Sequence, residues 1–565
     1  MPGSRTVKHA VLSLLVVGLS LLNLYVAKNL DVVGIPFFLA VALLVQLLLL
    51  VTFVFSLAVV LKTPLVILCS IAGSAAQGAG KNHYVRTART RYPRLTAWVL
   101  QRFSPRDPRG LLLTLGAVAS LASLAFFLAI TGAVMAQSTY AAIDQRILNL
   151  VPYIRSSGQN RFFVFFTFGA SSLSLVFFLL VLGVAVWRTP KHRWLFVLFA
   201  GSAILTRLGS TAAKHLIGRS RPDRSLALVT ENSFGFPSGH TLTAVVISGL
   251  FAYLLIRVSK PYALKLSIVL ATITMVLLVG LSRIYLGVHY PSDILGSLAL
   301  GLCFLAIIIT CVEIVVRYGV LTSVRLGTNI VRPLLVAAAA TLLFAGFFGT
   351  GLTPLSTVPS PSTEHPLTDI DKTTVKDLPD YSETLTGSRM EPISFIFLGS
   401  QDQIESMFVR AGWHKADPST PANTLRAIVV AIRNEQYLTA PVTPSYLDAE
   451  PETMAFEKPT DTNTLVQRHH TRIWKTNFTV KGQPVWVATA SFDEGIGLAK
   501  RTGLPTHHID PNVDAERSYI LGSLGIKDPR MIRVADPQLG QNATGDGFFT
   551  DGQAAIINAG DPALR

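Results

Sequence analysis

Three short stretches specify eleven residues, eight of which could do chemistry: Lys214-x6-Arg221-Pro222, then Pro237-Ser238-Gly239-His240, then Ser282-Arg283-x5-His289-x3-Asp293. They offer three cations, a glycine-softened turn and two histidines, one with a carboxylate four residues on. That inventory suits phosphate chemistry. A phosphate ester leaves slowly because charge must build on the phosphoryl oxygens and on the departing oxygen, so a catalyst needs fixed cations, an in-line nucleophile and a proton. Lys214, Arg221 and Arg283 supply the cations, and guanidinium forks match phosphoryl oxygens bidentately. Ser238 and Gly239 open the apolar run that begins near His240, so their N–H groups would face an anion with a helix dipole behind them. Ser238 adds a hydroxyl donor, and Gly239 permits close approach. His289 and Asp293 share one face if a helix has begun there, and Pro291 is at home in a first turn. A carboxylate holding one imidazole nitrogen leaves the other free to attack phosphorus. His240 then remains as the general acid. The scheme asks for no cofactor and no metal.

Long apolar runs surround these residues, and ionisable side chains inside such runs are expensive and usually functional. Crossing a bilayer core takes about 20 apolar residues. Nine runs approach that length: 9–27, 36–61, 110–134, 162–187, 194–212, 240–257, 264–282, 294–316 and 333–351. The first follows a short basic start, but no convincing cleavage site succeeds it, so it reads as an uncleaved span. Residues 64–77 are too short to span and read as interfacial. The basic stretch 81–109, interleaved with Tyr84, Tyr92, Trp98 and Phe103, reads as an amphipathic segment on the inner leaflet in preference to a nucleic-acid site.

Charge divides the chain in two. Residues 1–351 carry a net +23 and residues 352–565 a net −7. A basic apolar front joined to an acidic back reads as a membrane protein with a water-exposed domain. Summed over loops, an N-terminus inside places 20 Lys and Arg on the cytoplasmic side and 9 on the other, which is the positive-inside pattern. All three motifs, and everything after the last span, are then expected on the non-cytoplasmic face. Cys69, Cys303 and Cys311 lie in apolar runs and the back part has none, which excludes a disulfide or thiolate-metal framework there.

The expected domain order is 1–80, N-terminal membrane segments; 81–109, the basic segment; 110–316, a six-helix catalytic core; 317–351, a cytoplasmic loop and the last span. A Pro/Ser/Thr-rich linker follows at 352–390, then a soluble α+β domain at 391–535 and a flexible tail at 536–565. Within the soluble domain, strands are expected at 392–398, 425–432, 471–480 and 484–491, and helices at 401–410 and 514–523.

The three-part pattern resembles the type 2 phosphatidic-acid phosphatase (PAP2) superfamily, which also holds undecaprenyl-diphosphate phosphatases and vanadium haloperoxidases. The resemblance covers roughly 110–316 and implies a PAP2-like six-helix core within about nine transmembrane helices. It implies His289 as nucleophile, Asp293 as its partner, His240 as acid, and Lys214, Arg221, Ser238, Gly239 and Arg283 as phosphate binders. Arg207 and Arg219 are further cations that a second phosphate would meet; the plainer reading is interfacial anchoring. The back part resembles the C-terminal domain of LssY-like membrane proteins through Arg468-His469-His470-x-Arg472-x-Trp474, Thr506-His507-His508-Ile509-Asp510 and Asp514-x-Glu516-Arg517. That resemblance implies no chemistry. A metal site, a ligand site and a hydrogen-bonded core in which Asp514 and Glu516 pair with arginines all stay open.

The reading is a lipid phosphatase of a bacterial inner membrane, acting at the periplasmic face on undecaprenyl diphosphate, phosphatidic acid or a relative through a phosphohistidine. Its partners are the lipid phosphate and the bilayer, with no nucleic acid, and a periplasmic partner or ligand of the back domain is left open. The alternatives are a phosphotransferase of the same fold, a vanadate haloperoxidase, or a non-catalytic protein that binds lipid phosphate and recruits others.

Overall fold

A computed structural model describes Leu19, residues 90–102 and most of 110–353 and 364–561. The expected spans at 9–27 and 36–61 and the interfacial piece at 64–77 lie outside the described residues. Two compact units emerge, and the second is discontinuous: residues 141–154 belong with 360–565 and not with their neighbours in sequence.

The first unit is helical. After α1 (Pro93–Arg102) come α2 (Leu111–Met135), α4 (Ser157–Gly169), α5 (Ser172–Trp187), α6 (Arg193–Ile217), α7 (Gly239–Val258), α8 (Tyr262–Tyr285), α9 (Pro291–Arg317) and α10 (Val331–Leu352). Among the described residues six helices, α2 and α6 to α10, are long and apolar enough to cross a membrane, α6 and α10 each together with the short turn before them. The pair α4 and α5, bent by 54°, counts as a seventh if it is one span. The bend falls at Gly169 to Ser171, where Ser171 caps α5 by accepting from the Ser174 N–H at 3.2 Å. Phe178, Leu182, Phe199, Val246, Leu250, Ile308 and Leu334 bring five of these helices into one core. α7 and α9 meet so closely that a Cβ on Gly301 would lie 2.8 Å from the Val245 side chain. Outward-facing Val184 and Phe347 are 78 % and 79 % exposed. An apolar coat of that kind is stable where lipid is the solvent.

The second unit is strand-rich. Its sheet runs β4 (His414–Lys415), β7 (Met454–Pro459), β8 (Arg468–Val480), β9 (Gln483–Leu498), β3 (Arg389–Leu398), and β14 (Gln553–Asn558) joins β3 in parallel. Alternation along β8 sends Ile473 to one face, where α11 (Gln401–Arg410) and α13 (Val513–Ser523) bury it with Phe397, Phe408, Trp413 and Trp486. α11 opens on a capping box between Ser400 and Gln403. The opposite face buries Trp474, Ile396 and Val487. α3 (Thr139–Leu150), an element not foreseen, joins this unit through Asn149, which donates to the Ala449 carbonyl at 3.0 Å, and through an Arg146–Glu383 ion pair.

Three expectations need correcting. Residues 425–432 form not a strand but part of α12 (Pro421–Arg433), because Ala427, Val430 and Ala431 pack at helical spacing on Tyr437, Ala440 and Leu465. The flexible tail at 536–565 contains β14, whose Ala554, Ala555 and Ile557 are buried at the heart of the sheet. The linker at 352–390 contains β1 (His365–Leu367), which pairs with β8, and β2 (Tyr381–Glu383), which pairs with β3.

Candidate active site

The three motifs converge at one end of the helical unit, on the ends of α6, α7, α8 and α9 and the two loops between them. α6 stops at Gly218, whose φ of +66° is the left-handed cap that frees the chain to turn back. This leaves Lys214 in the last turn, with Nζ 3.4 Å from Ser233 Oγ and donating to the Phe234 carbonyl. Arg221, in the loop, donates from Nε to the Ser233 carbonyl at 2.5 Å and from Nη1 to the Val288 carbonyl at 2.8 Å. Its Nη1 also lies 3.3 Å from His289 Nε2.

Arg283 ends α8 with 2 % exposure. Its Nη1 donates to Thr167 Oγ1 at 2.7 Å and its Nη2 meets Glu231 Oε1 at 2.5 Å. The other Glu231 oxygen is 3.6 Å from Arg221 Nη2. One carboxylate therefore sits between two guanidinium groups, occupying donors that an incoming anion would use.

His289 precedes α9 by two residues and is 1 % exposed. Its Nδ1 is 3.2 Å from Asp293 Oδ2, which also accepts the Tyr290 N–H at 2.9 Å. Asp293 Oδ1 accepts from Arg219 Nη1 at 2.6 Å, and the same nitrogen donates to Ser292 Oγ at 2.7 Å. The Arg219 guanidinium stacks 4.4 Å above the Tyr290 ring. Arg219 thus anchors the carboxylate that orients the histidine.

Ser238 caps α7 in extended conformation, fully buried, and accepts from Thr241 Oγ1 at 3.2 Å. Gly239 and His240 form the first turn. The Ser238 N–H donates to the Asp293 carbonyl at 3.4 Å, which joins the stretch that carries Gly239 and His240 to the His289–Asp293 pair. Arg207, one of the extra cations, makes no hydrogen bond or ion pair with this site among the described residues.

Two close approaches fix the loops. Gly287 has φ of +73°, and a Cβ there would lie 2.0 Å from the Leu226 carbonyl. Arg155 binds both loops, donating to the carbonyls of Leu226 at 2.6 Å and Tyr285 at 3.0 Å. Sequence reasoning missed Glu231, Arg155, Thr167 and Tyr290. Glu231 left a signal, being one of seven acidic residues among the first 351. The others leave none, since their partners are remote in the chain.

In the strand-rich unit the basic groups end on carboxylates one by one. Arg468 pairs with Glu457 and with Asp493 at 3.1 Å, and His508 with Asp546 at 2.7 Å. Arg517 pairs with Asp551 at 2.9 Å and Asp514 at 3.1 Å. The hydrogen-bonded-core alternative put Glu516 on an arginine; it holds His469 Nδ1 at 2.8 Å. Burial pushes Glu516 up to about 7 despite that contact, and does the same to Glu457 against the pull of Arg468.

Residues 193–317 match the PAP2 superfamily, and residues 375–554 match the LssY C-terminus. The chain is 35 % identical over 181 residues to phosphatidylglycerophosphatase B of Bacillus subtilis (strain 168), covering 31 % of this chain and 86 % of that protein. It is 29 % identical over 120 residues to a lipid A 1-phosphatase of Rhizobium johnstonii, covering 20 % of this chain and 45 % of the relative. A decaprenylphosphoryl-5-phosphoribose phosphatase of Mycobacterium tuberculosis is 30 % identical over 115 residues, 20 % of this chain and 58 % of the relative. The crystal structure of a transmembrane PAP2-type phosphatidylglycerolphosphate phosphatase from Bacillus subtilis aligns over 35 % of this chain and 98 % of its own, with 28 % identity and a TM-score of 0.33. The chain belongs to the PAP2 superfamily. It is a membrane phosphatase of that family, with an LssY-type C-terminal domain.

Proposed function

We propose that the chain hydrolyses a lipid-linked phosphate or diphosphate at the periplasmic face of a bacterial inner membrane, through a phosphohistidine on His289. The observation that carries this reading is the division of labour on one imidazole. Asp293 holds Nδ1 at 3.2 Å, while Nε2 points at Arg221, 3.3 Å away, where a phosphoryl oxygen would be drawn in. With the proton fixed on Nδ1, the Nε2 lone pair attacks phosphorus and the bond to the leaving oxygen breaks. His240, protonated, gives that oxygen its proton. Now neutral, it takes a proton from water, whose oxygen attacks phosphorus and breaks the P–N bond, and His289 is restored.

Lys214, Arg221 and Arg283 bear the charge of the transferring group, and the Ser238 hydroxyl and Gly239 N–H complete the cradle. A side chain at 239 would meet Ser210 Oγ at 3.5 Å, an ordinary contact. The fold alone does not require glycine there, which favours a reason in the ligand. Binding obliges Glu231 to release its two arginines. The tail of the substrate stays in lipid, so the substrate is amphiphilic: undecaprenyl diphosphate first, phosphatidic acid and related lipid phosphates next.

The test is release of inorganic phosphate by purified protein from a panel of monophosphate and diphosphate lipids, with and without EDTA. Rapid acid-free quenching with radiolabelled substrate should trap label on the protein, and His289→Ala should abolish both label and turnover. Unchanged turnover in His289→Ala, or label appearing only on a second lipid, refutes the hydrolytic route.

A further inference from the structure

α12 has two apolar faces. Ala427, Val430 and Ala431 pack inward. Leu425, Ile428 and Val429 repeat the same helical spacing on the outer side, and they are 57 %, 42 % and 38 % exposed. Arg426 and Arg433 are exposed beside them, and residues 421–433 contain no acidic side chain.

We propose that this outer stripe of α12 seats the strand-rich unit on the headgroup region of an anionic bilayer. Charge singles the helix out: residues 352–565 carry −7, so anionic lipid repels the domain in general and attracts it at this basic, apolar face. The tether makes a weak contact sufficient. α10, a candidate span, ends at Leu352, and β1 opens at His365. The linker between them reaches at most about 40 Å when fully extended, so the surface is always offered at high effective concentration. Size argues against a second copy of the chain as the occupant. A stripe three side chains wide falls well short of the roughly 800 Å² per partner of a stable protein interface. A short apolar stripe flanked by arginines is what an interfacial helix presents to lipid.

The experiment uses the full chain in vesicles containing phosphatidylglycerol. Cys69, Cys303 and Cys311 are replaced by Ala, and a fluorophore is placed on Ile428→Cys, with Val429→Cys as an independent second site. Lipids brominated on their acyl chains should quench the label while aqueous iodide does not, and the double change Arg426→Glu, Arg433→Glu should abolish the lipid quenching. Quenching by iodide with none by brominated lipid overturns the proposal. So does protection from both quenchers with energy transfer between labels on two copies, which would make the stripe a protein interface. Phosphate release by each labelled protein reports its integrity. Because α12 lies outside the catalytic unit, failure of the proposal leaves the phosphatase reading untouched.

Discussion

Asp293→Asn is the sharpest probe of the site, because the surrounding donors dictate what the new amide must do. Asp293 accepts from Arg219 through Oδ1 and from the Tyr290 N–H and His289 Nδ1 through Oδ2. An asparagine has one oxygen to offer. Arg219 is permanently charged and donates at 2.6 Å, so the amide oxygen will face it and the NH2 group will face His289. Nδ1 must then accept, the proton moves to Nε2, and the attacking lone pair is gone. The Tyr290 N–H also loses its acceptor, at about 1–3 kcal/mol of stability. A wrong-tautomer histidine lowers turnover by about 10⁴ in a serine-protease triad, so a fall of about 10³–10⁴ is expected here, or roughly 4–5 kcal/mol of barrier. Steady-state phosphate release in mixed micelles should show the loss in kcat with KM little changed. Retention of activity within tenfold, or a loss confined to KM, would refute the tautomer argument.

Glu231→Gln removes the carboxylate that competes for Arg283 and Arg221, so inhibition by inorganic phosphate or vanadate should tighten by about tenfold, or 1.4 kcal/mol; an unchanged inhibition constant would show that the carboxylate does not shield the cradle. Gly287→Ala forces a Cβ to within 2.0 Å of the Leu226 carbonyl at a φ of +73°, and should abolish turnover while the strand-rich unit melts as before, as read by calorimetry. The pH dependence of that unit should contain, beside the contributions of Glu457 and Glu516, one from Glu452, which burial raises to about 7 although it accepts the Ser445 N–H at 2.9 Å. The unfolded chain ionises near 4.5, so between about 4.5 and 7 the folded state holds the extra proton. This contribution to stability is therefore present at low pH and is lost as pH rises through that window, by about 2–4 kcal/mol at most. Calorimetry of Glu452→Gln should show a flatter profile over the same range, and an identical slope would contradict the assignment.

The chemistry was legible where it is written locally. The three motifs are short, their spacings place each group at a helix end, and Pro291 together with Asp293 in a first turn marked where α9 begins. What could not be read is long-range. Arg219 finds Asp293, and Arg155 finds Leu226 and Tyr285, across loops whose paths no local pattern sets. α12 misled because its run of Ile428, Val429 and Val430 has strand propensity, which tertiary packing overrode. β14 hid behind Gly- and Asp-rich turns, and its partner β3 lies far back in the chain.

The membership of residues 141–154 in the strand-rich unit has a topological consequence. Residues 155–359, with the phosphate cradle, lie between the two pieces of that unit, and two pieces that fold together must emerge on the same side of the bilayer. The chain therefore has to traverse the membrane an even number of times between them. Among the described residues, five helices between the pieces, α6 to α10, are long and apolar enough to cross; with all five crossing, an even number requires the kinked pair α4 and α5 as a sixth span. Translation imposes an order as well: α3 is synthesised early, but it must wait for the hairpin at 446–451, which carries its Ala449 partner, before that contact can close. Anyone trimming the C-terminus to obtain a minimal phosphatase would strand this helix without its counterpart.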